Sequence, residues 1–273
     1  MGAHAEGWHR PPDNGPLPRV RVSGPERVHH SGKESRMNPN SLLVWFPKVE
    51  ALRLPRPRTK IVKVGWRFLT NLYDGKRLSA NTVSEIKEAA EEIGYPLFMR
   101  TDLVSAKHSW RDSCYVPSQD DLLPHIGALV DFEGCCFMMG EPSSAIVLRE
   151  YVPLSAAFTA FQGMPVARER RYFAEGGKVL CHHPYWPQGA IEEAHHSDAL
   201  PDDWKQRLAA INEEDEAEIA ELSGYAEGIT SVLAGAWSVD FAYASAGKWL
   251  LIDMALAAQS WHPEECPVRV EGA

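Results

Sequence analysis

Two strand-like runs near the C-terminus, Trp237 to Ala242 and Lys248 to Met254, each carry one aspartate in an otherwise apolar stretch, parted by a short turn through Ala246-Gly247. A carboxylate in an apolar strand is costly unless something neutralises it. Asp240 and Asp253 on neighbouring strands therefore call for a cation. A divalent metal is the simplest answer, and Mg²⁺ takes hard carboxylate oxygens together with substrate phosphates. Arginine or lysine partners would meet the same need, and the two runs alone do not choose between them.

The chain around this feature has 273 residues, enough for one large domain or two intimately packed subdomains. A net charge of -9 works against sequence-independent nucleic-acid binding, which draws its affinity from phosphate neutralisation. The five cysteines form no paired CxxC spacing, so a disulfide framework or zinc ribbon is not indicated and a reduced, cytoplasmic setting is expected. No apolar run approaches the roughly 20 residues that span a bilayer, so no membrane partner is expected. Residues 1–36 are rich in Pro, Gly, His and Arg and read as a disordered arm. Met37 opens a different composition and offers an internal start, which would leave the arm untranslated.

Beyond the arm, Leu42 to Leu52 has helical spacing and Lys60 to Val64 reads as a strand. Thr82 and Glu85 suggest a capping box for a helix that Gly94 and Pro96 stop, and Leu97 to Thr101 follows as a strand. A helix over 120–132, a strand over 146–152, and a strand pair at Val166–Phe173 and Lys178–His182 come next. Residues 187–201 read as a surface loop. One or two helices then carry Glu213, Glu214, Glu216, Glu218 and Glu221 on what is expected to be a solvated face.

Three further groups carry chemistry. Arg100 ends a strand and Lys107 lies seven residues on, expected on a second strand; a planar fork and a mobile point charge suit phosphate oxygens, although a pair of exposed surface cations would read the same way. Glu150-Tyr151-Val152, where a strand runs into Pro153, can offer backbone groups to a purine edge or be a simple strand end. In Arg168-Glu169-Arg170-Arg171, alternation separates Glu169 and Arg171 from Arg168 and Arg170, and so many arginines predict that one face meets solvent or an anion. His182-His183, His195-His196 and Cys135-Cys136 lack spacing that would aim both members at one metal. Walker, GxGxxG, GxSxG and HExxH motifs are absent from the sequence.

Taken in order, these pieces resemble the ATP-grasp superfamily. The resemblance rests on Pro55-Arg56-Pro57-Arg58-Thr59, on Gly94-Tyr95-Pro96-Leu97-Phe98-Met99-Arg100, and on the strand from Ile146 to Val152. It continues through Glu169-x-Arg171-x-Phe173, similar to a strand of ligases that append glutamate to ribosomal proteins, and through Val239-Asp240-Phe241 with Leu251-Ile252-Asp253. Arg100 stands where the family usually has Lys. Asp253-Met254-Ala255 stands where Glu-x-Asn is usual, so a third metal ligand would come from elsewhere, near Ser260 or His262.

The resemblance implies an α+β fold of two subdomains with mainly antiparallel sheets gripping a nucleotide. Residues 37–95 would be a reduced N-terminal segment, 96–152 the small subdomain and 153–265 the large one. It implies ATP held by Arg100, Lys107, Glu150, Tyr151, Val152 and Glu169, Mg²⁺ on Asp240 and Asp253, and Arg168 and Arg171 as catalytic groups. The implied reaction joins the carboxylate of one small molecule or peptide to the amine of another through an acylphosphate. A phosphotransferase on the same fold and a non-catalytic nucleotide-binding module remain open beside it.

Overall fold

The computed structural model describes residues 38–76, 79–137, 143–194, 199–263 and Cys266. The arm over 1–36, Met37 and His195-His196 lie outside them, as do the side chains of Cys135 and Cys136.

Helix α1 (Leu42–Glu50) starts where the Ser41 side chain accepts from the Leu43 N–H, and Leu42, Trp45, Phe46 and Val49 form its buried stripe. Strand β1 (Thr59–Lys63), helix α2 (Trp66–Tyr73), helix α3 (Ala80–Ile93) and strand β2 (Leu97–Thr101) follow. The capping box is not formed. Ser79 is the N-cap of α3 and makes no side-chain cap bond, so Thr82 lies inside the first turn. Lys107 belongs to a one-turn 3₁₀ helix, Lys107–Ser109, and not to a strand; the strand comes later as β3 (Tyr115–Val116). Helix α4 (Leu122–Phe137) accommodates Pro124 within its first turn, where its missing N–H has no helical partner to lose. Strand β4 (Ala145–Glu150) ends before Tyr151, which opens the connector.

Strands β5 (Ala156–Ala160), β6 (Met164–Ala167), β7 (Glu169–Glu175) and β8 (Lys178–Pro184) come next, with Arg168 breaking what the sequence suggested as one strand. The expected loop over 187–201 contains helix α5 (Gln188–Ala194). Helices α6 (Trp204–Asn212) and α7 (Glu216–Ser231) precede the hairpin of β9 (Ala236–Ala244) and β10 (Lys248–Leu256). Its three-residue turn needs Gly247, whose φ of 75° lies in the left-handed region.

All sheets are antiparallel, in the orders β1-β4-β2-β3, β10-β9-β7-β8 and β5-β6. Residues 145–148 in β4 are fully buried because this central strand is covered on both faces. Ile146 and Leu148 pack with α3 and α4, whereas Val147 joins α1, α7 and the β9/β10 core. Asp102, just past β2, pins this sheet: it accepts from the Ser144 and Ala145 N–H groups at 2.7 and 2.8 Å and from the Ser41 hydroxyl. Arg100 is thereby held on a fixed strand end.

The acidic face of α7 is only partly solvated. Glu218 is buried and pairs with Arg170 and Arg168. Arg170 is fully buried, its guanidinium also donating to the carbonyls of Glu169, Ile211 and Glu213 at 2.9, 3.0 and 2.6 Å. The expectation that this arginine face meets solvent or an anion is therefore corrected. A complete set of carbonyl and carboxylate acceptors replaces water there.

Candidate functional site

The two four-stranded sheets face each other across an open cleft of about 760 Å³. Seven of the ten residues singled out from the sequence line it: Arg100, Lys107, Glu150, Tyr151, Val152, Glu169 and Asp253. Asp240 and Arg171 lie beside the cleft behind Asp253. Arg168 is turned away from it, held by Asp215 at 3.1 Å and by Glu218.

Register explains how the acidic pair comes together. Leu251 pairs with Phe241, yet Asp253 pairs with Asp240, so Ile252 is an extra residue in β10. Without that bulge Asp253 would stand opposite Val239 and point into the core with it. The bulge turns Asp253 to the cleft face, while Met254 takes the core position opposite Val239. On the other side of β9, Asp240 is in register with Arg171 of β7. Arg171, Asp240 and Asp253 thus form one row across three strands.

The charges are engaged with one another. Arg171 donates to both Asp240 oxygens at 2.8 Å each. Arg100 reaches across from the other sheet to Asp253 Oδ1 at 2.6 Å and also donates to the Thr101 carbonyl at 3.1 Å. The second Asp253 oxygen makes no hydrogen bond among the described residues. Burial would raise the Asp253 carboxyl, but Arg100, Lys107 and Arg149 overcome it and hold the group down to about 2. Burial alone would lower the Lys107 ammonium; Tyr185, Glu169, Asp253 and Asp240 together raise it above its ordinary value. Burial pushes Glu169 up to about 7, with Lys107 and the 3.1 Å bond from the Trp186 indole N–H pulling the other way.

Four cations, Arg100, Lys107, Arg149 and Arg171, therefore meet three carboxyl groups, of which Glu169 is half protonated near neutrality. The surplus is positive, as a polyanion site requires. Elsewhere in the cleft, the backbone groups of Tyr151 and Val152 make no hydrogen bond among the described residues, so the connector presents free donors and acceptors beside Phe98 and Trp110. These features fit a nucleotide. For Mg²⁺ the donor set offers one free carboxylate oxygen, on Asp253, and a second carboxylate, on Asp240, reachable only if Arg171 lets go.

Three contributors were not assigned from the sequence. Arg149 lines the cleft, donates to the Ile252 carbonyl, and is lowered to about 10 by burial and by Arg100. Tyr185 lies against both Lys107 and Arg171, 5.0 and 4.7 Å from its ring centre, and Trp186 holds Glu169. Tyr185-Trp186 follows β8 directly, but no sequence spacing links it to residues 107 or 171. The expected third ligand is not supplied by Ser260 or His262. Ser260 bonds the Ser238 hydroxyl at 2.6 Å and His262 stacks on Phe173 with ring centres 3.5 Å apart.

Among solved structures, the chain is similar to C-terminally truncated Cdc123 from Schizosaccharomyces pombe, with a TM-score of 0.51 and 13% identity over 80% of this chain and 83% of that one. It also aligns with a RimK domain protein ATP-grasp from Sphaerobacter thermophilus (TM-score 0.40, 13% identity, 80% of this chain and 58% of that one). A third match is N5-carboxyaminoimidazole synthase from Aspergillus clavatus in complex with ADP and 5-aminoimidazole ribonucleotide (TM-score 0.42, 14% identity, 79% and 43%). Identities this low speak to the fold alone. No curated protein sequence matches the chain significantly. A family model described as an ATP-grasp domain, family 3 of its clade, matches residues 80–270, well over half of the 273. The chain belongs to that ATP-grasp family.

Proposed function

We propose that this protein is an ATP- and Mg²⁺-dependent ligase that activates a carboxylate as an acylphosphate and joins it to an amine. The observation that carries the reading is the cationic cleft between the sheets, in which Arg100 and Lys107 face Asp253 beside the unbonded connector Tyr151-Val152 in an ATP-grasp chain. Arg100 and Lys107 bind the phosphates, and Glu150 to Val152 run along the base. Asp253, with Asp240 next to it in register, holds the metal, which when bound neutralises phosphate charge.

Arg171 orients the acceptor carboxylate, and Tyr185 keeps Arg171 and Lys107 aligned on it. Glu169, titrating at about 7, takes up the proton that the attacking amine releases. Positioning and charge complementarity do the rest, with no covalent nucleophile from the protein. Arg168 has no part in this scheme. Among the described residues no helix is long and apolar enough to cross a membrane, and a reaction drawing on ATP suits the cytoplasm.

ADP release measured across panels of carboxylates and amines tests the reading. Turnover that needs both substrates and Mg²⁺ supports it; failure to bind Mg-ATP at millimolar concentration refutes it. A second reading, a nucleotide-binding module without turnover, is favoured by one observation: both oxygens of Asp240 are taken by Arg171. Turnover that Asp240→Ala abolishes excludes that module.

A further inference from the structure

Four potential metal ligands far apart in sequence meet outside the cleft. Cys181 and His183 alternate on β8 and so share one face, and the chain beyond β10 returns to place His262 and Cys266 over them. The ligand atoms of all four lie within 4.8 Å of one another. The two sulfurs are 3.3 Å apart, and Cys181 Sγ is 4.0 Å from His262 Nδ1. In a tetrahedral zinc site with bonds of roughly 2.0 to 2.3 Å, neighbouring ligand atoms are separated by roughly 3.3 to 3.8 Å. The cluster is therefore close to the size a zinc ion would set.

A second observation points the same way. His183 Nε2 is buried with no hydrogen-bond partner. An imidazole nitrogen left unmet inside a protein is costly, and a metal bond removes the cost. The sulfurs, at 3.3 Å, are well beyond the roughly 2.05 Å of a disulfide, and both cysteines are free.

We infer that Cys181, His183, His262 and Cys266 form a Cys₂His₂ site for one Zn²⁺. Four protein ligands leave no open coordination position, so the ion is structural. It clamps the segment after β10 onto β8, the edge strand of its sheet. The clamp also fixes Trp261, the residue before His262, whose carbonyl accepts from Arg171 at 3.5 Å. The metal thereby braces the cleft without entering it.

Elemental analysis of the full chain, purified under reducing conditions from zinc-supplemented cells, should find one zinc per chain, and none in the Cys181→Ser/Cys266→Ser variant. Because that variant could misfold, the wild-type chain supplies an independent readout. After chelation and reloading with Co²⁺ it should show intense tetrahedral visible bands and a thiolate-to-cobalt charge-transfer band. Cobalt on Asp240 and Asp253 would give neither. Wild-type protein that holds no zinc and gives no thiolate band overturns the proposal. So does a native mass lighter by two hydrogens with Cys181 and Cys266 cross-linked, which would make the cluster a disulfide.

Discussion

Asp240 and Asp253 stand directly opposite one another on one sheet face because Ile252 is bulged out of β10, and each is neutralised by its own arginine, Arg171 and Arg100. Two adjacent carboxylates would repel without those cations. The arrangement separates stability from chemistry. Asp240→Ala should abolish turnover and also cost about 3 kcal/mol, because Arg171 is left mostly buried without a partner. Adding Arg171→Met should restore much of the stability and none of the turnover. Urea midpoints and ADP release on the two variants check this, and recovery of turnover in the double variant would remove Asp240 from the mechanism.

Arg100 supplies a different test. Its fork holds Asp253 and the Thr101 carbonyl at once, so it is pre-aimed into the cleft. Arg100→Ala should weaken ATP binding by roughly 10- to 100-fold, the loss of one or two charge-assisted bonds. Arg100→Lys keeps the charge but loses the fork, and should cost roughly tenfold or less. Titration calorimetry measures both, and equal losses in the two variants would mean that geometry, not charge, dominates.

Glu169 makes a prediction about pH. Its folded-state value of about 7 exceeds the ordinary 4.5, so the folded chain binds the extra proton between those values. Stability from this group is full below pH 4.5 and lost as the pH rises to 7, by up to about 3 kcal/mol, or 2.5 pH units at 1.36 kcal/mol each. Glu169→Gln keeps an oxygen for the Trp186 N–H and should remove that fall, leaving the variant more stable than the parent at pH 8. Denaturation midpoints at pH 5 and pH 8 decide it. If Glu169 also accepts the amine proton, the same variant loses the acid limb of its pH–rate profile.

How much of this was legible in the sequence depended on whether the signal was local. Strand β2 was read with its observed ends because Gly94 and Pro96 mark its start and its own residues are apolar. The acidic hairpin was read for the same reason. The bulge at Ile252 was not, since a one-residue slip leaves no mark in composition, and the face on which Asp253 stands depends on it. Helices α2 and α5 were missed because they are only 8 and 7 residues long and have no side-chain cap bond to mark a start. Cys181, His183, His262 and Cys266 were passed over because CxH and HxxxC are each too short to signal a site; only the return of the chain past β10 unites them.

The buried Arg170–Glu218 pair is where the sequence reading failed most clearly, and it carries the last prediction. Glu218 sits on α7 among residues that solvate freely, yet it alone of the acidic run is buried, facing a fully buried guanidinium. Removing it leaves Arg170 with carbonyl partners but no counter-charge, so Glu218→Ala should cost about 3 to 5 kcal/mol. Glu216→Ala, in the same first turn but exposed, should cost under about 1 kcal/mol through the helix dipole. Because Arg170 points away from the cleft, ATP affinity of the Glu218 variant, measured below its unfolding temperature, should match the parent. A loss of affinity without a loss of stability would show instead that this face of β7 communicates with the nucleotide, and that the pair is more than a structural replacement for water.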